Sequence, residues 1–352
     1  MPHASISRRT LLTGLGAVAG TQICTRPTNA QGVPNLTTTS PAARRIIDVH
    51  AHLTPPAYVA DLAGAGDLQP PTLNWNIGKH IEDMDKAGVD LSILSVTTPG
   101  VWFKDGPRGR RLSRMTNDFA AEMRQKHPTR ISQFAAIPLP DSEGSLKEIE
   151  YGLDVLKADG VALFTSYGDK WLGDPAFDPV MAELNRRKAV VFVHPTTSDC
   201  CTNIQPWLRV AVIEYGTDTT RAIASWILTG AAKRFPDIRV IWSHAGGTMP
   251  FLIERFDRIG SVNPGLAATI PNGFRAEAAK CFYDTAQSAN DVSMGALRKV
   301  VPMSQIVFGT DYPFRTADDH VQRLIKGGVF NEVELAQIYR MNALPLLPRL
   351  KA

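Results

Sequence analysis

From residue 45 onward the chain alternates between two spacings of apolar positions. Short runs rich in β-branched and aromatic residues recur as "RIIDVH" (45–50), "LSILSV" (91–96), "ISQFAAI" (131–137), "GVALF" (160–164), "AVVFVH" (189–194), "RVIWSH" (239–244), "CFYDTA" (281–286) and "QIVFGTD" (305–311). Between most of them, apolar residues fall three and four apart. Ile77, Ile81 and Met84 share one side of a segment that carries Glu82, Asp83 and Lys86 on the other. Val180, Met181 and Leu184 group in the same way, as do Ile223, Trp226, Ile227 and Ala231. These spacings predict strands alternating with amphipathic helices, with stops at Gly88, Gly160 and Pro236. Several runs are apolar almost throughout, as strands covered on both faces must be. Eight strands alternating with helices predict an α/β fold, the (β/α)8 TIM barrel, as a single domain over 45–352. An open doubly wound sheet also alternates, but it normally carries a Gly-rich phosphate loop, and neither GxGxxG nor GxxxxGK[ST] occurs. "NEVELAQIYRMNALPLL" predicts a closing helix against the barrel.

The first 44 residues break the pattern. Arg8 and Arg9 precede an apolar stretch, Leu11–Ile23, and Thr28-Asn29-Ala30 offers small residues for cleavage. The stretch is short of the roughly 20 apolar residues a membrane span needs. "SRRTLL" is similar to a twin-arginine export signal, so 1–30 reads as a signal peptide and the polar, Pro-containing 31–44 as a disordered linker. That implies a periplasmic or secreted bacterial protein with no stable membrane association after cleavage.

Charge adds little. The formal net charge is +4, and Arg8, Arg9 and Arg26 lie in a leader without acids, leaving +1. Neither nucleic acid nor an anionic membrane is indicated as a partner. Of four cysteines, Cys200, Cys201 and Cys281 would follow the leader, an odd number and no disulfide framework. The adjacent pair reads best as small packing residues, over a vicinal disulfide or a soft metal site.

The histidines carry the chemistry. His80, His127 and His320 fall in helical patterns and are expected to be solvated, whereas His50, His52, His194 and His244 end strands one, five and six, and Asp311 ends strand eight. Strand C-termini of this barrel class surround one mouth, so the five should converge there. Alternation along a strand turns positions 50 and 52, and with them Asp48, to the same face. Three imidazoles and a carboxylate suit Zn2+, with Mn2+ as the alternative, and leave room for water or substrate.

"DVHAH", "VFVHP", "SHAGGTMPFLIERF" and "VFGTDYPF" together resemble the amidohydrolase superfamily over about 45–345, most closely the branch of aminocarboxymuconate semialdehyde decarboxylase and related aromatic-acid decarboxylases. The resemblance implies metal ligation by His50, His52, His194 and Asp311, with His244 as acid/base. Binuclear members carry a Lys or Glu at the end of strand four. Here "GVALFTSYGDKW" has no Lys before 170, which favours one ion. The semialdehyde decarboxylase also has an arginine before a Trp early in the chain. The local match around Trp75, "PPTLNWNIGKH", lacks it, while Arg255 matches a substrate arginine supplied by a neighbouring subunit, which would make the protein a homodimer or larger. Asp284 is expected to brace an imidazole, with Glu214 as a second possibility, and Trp75, Trp102 and Phe314 to border the site.

These features point to a metal-dependent, non-oxidative decarboxylase of a small aromatic or hydroxybenzoate-type carboxylic acid. The same residues would also serve a hydrolase of a lactone, ester or amide. A binding protein on a retained barrel would require a missing ligand, and none is missing.

Overall fold

A computed structural model describes residues 44–63 and 68–350, all within the compact unit Thr39–Ala352. The expected signal peptide, and all of the linker but Arg44, lie outside the described residues. Eight strands form one sheet in chain order: β1 (Ile46–Leu53), β2 (Val89–Val96), β3 (Ile131–Ala136), β4 (Gly160–Phe164), β5 (Val190–His194), β6 (Arg239–Trp242), β7 (Phe282–Asp284) and β8 (Ile306–Val307). Every neighbouring pair is parallel. The seam between β8 and β1 closes through backbone bonds, Val49 N–H to Phe308 O (3.0 Å), Asp311 N–H to His50 O (2.8 Å) and His52 N–H to Tyr312 O (2.8 Å). The result is a nearly closed barrel, consistent with the TIM architecture.

The connecting helices include α1 (Ile77–Ala87), α2 (Gly106–Lys126), α3 (Ser142–Glu150), α4 (Asp178–Arg186), α5 (Val210–Leu228), α6 (Asp291–Val300) and α7 (Ala317–Gly327). Short polar side chains start several of them. Asn76 accepts from Lys79 N–H, Asp105 from Arg108 N–H and Asn290 from Ser293 N–H. A small antiparallel hairpin, Ser166–Tyr167 with Lys170–Trp171, follows β4. It leaves Lys170 exposed.

The barrel has two apolar layers. Ile47, Val49, Leu91, Ile93, Phe134, Ala162, Val190, Phe192, Ile241 and Val307 fill its interior, and Ala343, Leu346 and Leu347 from the C-terminal segment join them. The outward faces of the strands, among them Val161, Leu163, Val191, Val193, Val240 and Trp242, pack under the helices. The expected closing helix is broken into Glu332–Ala336, a wider turn at Gln337–Met341 and a tight turn at Leu344–Leu346.

Strict alternation along β1 does not hold. The pairing Asp48↔Ser92 followed by Ala51↔Leu94 places one extra residue on β1. Such a bulge shifts the phase of the side chains. Ile47 and Val49 therefore face the interior below it, and His50 and His52 still face the interior above it. Asp48, expected on the inward face, instead sits at the seam and accepts from His50 N–H (3.0 Å), Thr310 N–H (3.1 Å) and Thr310 Oγ1 (2.6 Å). Burial pushes its carboxyl up to about 7 against those hydrogen bonds.

Two other expectations fail. His80 and His320 are buried, not solvated. Their helices turn them onto hydroxyls on the outer barrel wall: His80 Nε2 meets Ser92 Oγ at 3.1 Å and His320 Nε2 meets Thr285 Oγ1 at 2.9 Å. Burial lowers both imidazoles to about 3, so they are neutral core residues.

Candidate metal centre and active site

His50, His52, His194, His244 and Asp311 meet at the C-terminal mouth of the barrel. Asp311 Oδ1 lies 2.9 Å from His52 Nε2, 3.2 Å from His50 Nε2 and 3.8 Å from His194 Nε2. Its other oxygen is 3.4 Å from His244 Nε2. The ligand atoms of His50, His194, His244 and Asp311 all fall within 4.8 Å of one another.

Each inner imidazole is oriented from behind. His50 Nδ1 lies 2.7 Å from Asp284 Oδ2, His194 Nδ1 lies 2.8 Å from Pro195 O, and His52 Nδ1 lies 3.3 Å from Ser95 O. An Nδ1–H donated to an acceptor fixes the tautomer and leaves the Nε2 lone pair free, the usual bracing of metal-binding histidines. Asp284 is fully buried and also accepts from the backbone N–H groups of His244 (2.9 Å) and Ala286 (3.0 Å). One carboxylate thus positions both a ring and the turn that carries another. Glu214 does not share this role; it lies on α5, 3.4 Å from Arg221.

The turn after β6 places His244 (φ 53°) and Ala245 (φ 57°) in the left-handed region, ahead of Gly246 and Gly247. Asp311 has φ 67°. Non-glycine residues held there cost on the order of 1–3 kcal/mol each and cluster where function requires them. Glycines permit the close contacts nearby. A Cβ on Gly309 would lie 2.7 Å from His50 Cβ, and one on Gly247 would collide with Gly216 O.

The donor set fits a divalent cation. His50 Nε2 and His52 Nε2 are 3.2 Å apart and both face the same carboxylate oxygen. His194 Nε2 and His244 Nε2 are buried without a hydrogen-bond partner. Burial keeps His52 and His194 neutral, the latter at about 3, while Asp284 and Asp311 outweigh burial and raise His50 to about 10. Asp311 is held well below the carboxylate range, burial notwithstanding, chiefly by His50. Neutral His52 and His194 beside an ionised carboxylate are ready ligands for Zn2+ or Mn2+, and a bound cation would take the place of the Nε2 proton that the two carboxylates hold on His50.

A cavity of about 470 Å3 opens over this centre, lined by His194, His244 and Asp311 on the polar side, with Gln287 and Ser288 beside them. Ala211, Val212, Tyr215, Gly216 and Phe314 form the less polar wall. Tyr215 OH is fixed 2.9 Å from Thr98 Oγ1. His50 and His52 lie behind the lining, fully buried.

Not every expected residue belongs here. Trp75 Nε1–H points at His80 Nδ1 (3.3 Å) and the indole packs on Phe119, so it is a core residue and does not line the cavity. Trp102 lines a neighbouring cleft of about 300 Å3. Arg255 is exposed on the short helix Ile253–Asp257 and reaches no part of the lining within this chain. Cys200, Cys201 and Cys281 are free thiols. Tyr215, Gln287 and Thr248 were not singled out from the sequence. Only Gln287 carried a signal, lying three residues past Asp284 in a loop that must open onto the mouth.

Residues 47–349 match the model of the amidohydrolase family. The chain belongs to that family. It is 37% identical over 317 residues to a 6-methylsalicylic acid decarboxylase of Penicillium expansum, covering 87% of this chain and 97% of that one. A second 6-methylsalicylic acid decarboxylase, from Aspergillus aculeatus, is 37% identical over 332 residues, with 87% and 96% covered. A dihydroxybenzoic acid decarboxylase from Polaromonas, solved with manganese and 2-nitroresorcinol, shares the fold at a TM-score of 0.76 and 20% identity, covering 88% of this chain and 98% of that one. The two sequence relatives are fungal, which does not fit the expected bacterial periplasmic protein exported by the twin-arginine route and overturns that expectation. Among the described residues, no helix is long and apolar enough to cross a membrane.

Proposed function

We propose that this amidohydrolase is a metal-dependent, non-oxidative decarboxylase of a small hydroxybenzoate-type acid. The observation that carries the reading is the meeting of three Nε2 atoms with one Asp311 oxygen directly beneath a cavity that His244 also lines. His50, His52, His194 and Asp311 would hold one ion, Zn2+ or Mn2+. The bound ion supplies Lewis acidity toward the substrate's carboxylate or ortho oxygen.

The chain's own residues do the rest. Tyr215 and Phe314 offer ring faces to an aromatic substrate. Among the described residues the lining contains no Lys or Arg, so a second carboxylate on the substrate would be left unpaired. A single-acid substrate with uncharged substituents fits best, as the names of the 37%-identical relatives also suggest.

His244 delivers a proton to the ring carbon that bears the carboxylate, and a ring electron pair forms the new C–H bond. The C–C bond to the carboxylate then breaks, its pair returns to the ring, and neutral CO2 leaves. One proton is consumed and no electron is exchanged, so no organic cofactor is required. His244 is reprotonated through the open side of the cavity.

The test is turnover of 6-methylsalicylate, salicylate and 2,6-dihydroxybenzoate in D2O, followed by CO2 release and mass spectrometry of the phenol. The reading expects one deuterium on the carbon that lost the carboxyl. Hydrolysis of lactones or esters without CO2 from any aromatic acid would overturn it in favour of the hydrolase.

A further inference from the structure

Gln287 is outside every role described so far, and its surroundings are unusual. It has φ 53° in the loop after β7, a left-handed conformation without the glycine that normally adopts it. Its side chain borders the cavity and is tied at both ends. Nε2–H donates to Asp311 Oδ2 at 2.9 Å, and Oε1 accepts from Arg315 Nη2 at 3.3 Å. Arg315 is in turn anchored through Nη1 to Asp319 Oδ2 at 2.6 Å. Asp319 also takes Arg323 Nε at 2.8 Å, so the far end of this chain rests on helix α7.

The geometry points to Gln287 as a positioning residue that, with Arg315 behind it, fixes which oxygen of Asp311 faces the metal. The inference rests on the metal reading above. Asp311's two oxygens have different neighbours: Oδ1 faces the imidazole nitrogens of His50, His52 and His194, while Oδ2 faces His244 and the Gln287 amide. Rotation of the carboxylate would exchange these neighbours. The amide hydrogen on Oδ2 opposes that rotation, and the guanidinium on Oε1 stops the amide from flipping its oxygen toward the carboxylate. The clamp therefore favours one-oxygen ligation by Asp311 and keeps the second oxygen turned to His244. The strained backbone is consistent with a side chain held in place for this purpose.

The test uses the full chain without substrate, which separates positioning from substrate contact. Co2+ is titrated into metal-stripped wild type, Gln287→Met and Arg315→Met, with affinity read by chelator competition and ligand geometry by visible absorption. Outer partners of metal ligands typically set affinity by about 10–100-fold, and a loss of about 10-fold is expected for Gln287→Met. Its Co2+ spectrum should change in band position or intensity, whereas its metal-free Tm should stay within about 2 °C of wild type. Arg315→Met should change the spectrum in the same direction by less, and the double variant should bind no worse than Gln287→Met, because the two act as one unit. Should Gln287→Met fail to fold, Arg315→Met carries the same readout. Wild-type affinity and an unchanged spectrum in whichever variant folds would overturn the inference while leaving the metal reading intact. Failure of wild type to bind Co2+ would instead remove the metal reading and this inference with it.

Discussion

Asp284→Asn is the substitution that best probes how the centre is built, because it changes chemistry while preserving shape. The carboxylate now accepts three hydrogen bonds, from His50 Nδ1–H at 2.7 Å and from the backbone N–H groups of His244 and Ala286 at 2.9 and 3.0 Å. Both backbone bonds end on Oδ1, so an asparagine would place its oxygen there and keep them. Its NH2 would then face His50 Nδ1 and force the proton onto Nε2, the nitrogen meant for the metal. Fold stability of the metal-free protein should fall by about 3–5 kcal/mol, since the buried Asp284–His50 pair is broken although no cavity forms. Metal affinity should fall by about 10–100-fold, the usual effect of losing such a brace, which is roughly 1.4–2.7 kcal/mol. Competition with a chromophoric chelator measures the affinity, and urea unfolding of the metal-free protein measures the fold. Affinity within twofold of wild type in a folded Asp284→Asn protein would refute the claim that Asp284 fixes a proton on His50 Nδ1 and so leaves Nε2 to the metal.

Two further predictions concern the fold. His80 and His320 are held neutral, near 3, against an ordinary value of 6.5. Their depressed values mean that the stability they support is complete above about pH 6.5 and is lost as pH falls, because the unfolded chain takes up protons the folded one refuses. Each should cost about 2 kcal/mol between pH 7 and pH 5, so the gap between wild type and His80→Gln in urea unfolding should narrow by about that much over the range; a constant gap would show that His80 takes up its proton as readily in the fold as in the unfolded chain. Leu346, 1% exposed inside the barrel's lower end, should cost about 2–5 kcal/mol as Leu346→Ala with kcat unchanged, and a loss under 1 kcal/mol would mean the C-terminal segment is not part of the core.

The strands and the convergence of chemistry were legible because both rest on short-range rules. Period and composition marked all eight strands, and position at a strand's end was enough to gather His50, His52, His194, His244 and Asp311. What escaped depended on partners distant in the chain. The β1 bulge is not written in "IIDVHAH", because the extra residue appears only against the register of β2. His80 and His320 looked solvated because a polar residue on an amphipathic helix normally is; their burial depends on Ser92 and Thr285 waiting on the outer barrel wall. Trp75 was drawn toward the site by a family pattern, but the indole's partner is His80. The left-handed positions at His244, Gln287 and Asp311 are not themselves glycines and so gave no warning.

In the proposed function four side chains bind one ion while the fourth histidine stands beside it. Distances alone would admit His244 to the ligand set, since its ligand atom lies within 4.8 Å of those of His50, His194 and Asp311. Metal content per chain, measured by inductively coupled plasma mass spectrometry on wild type, His194→Ala and His244→Ala after identical purification from metal-replete cells, decides between the roles. About one ion, close to none, and about one again are expected, with decarboxylation suppressed by at least 100-fold in the last. Equal metal loss in both variants, or a wild type that carries none, would contradict that assignment.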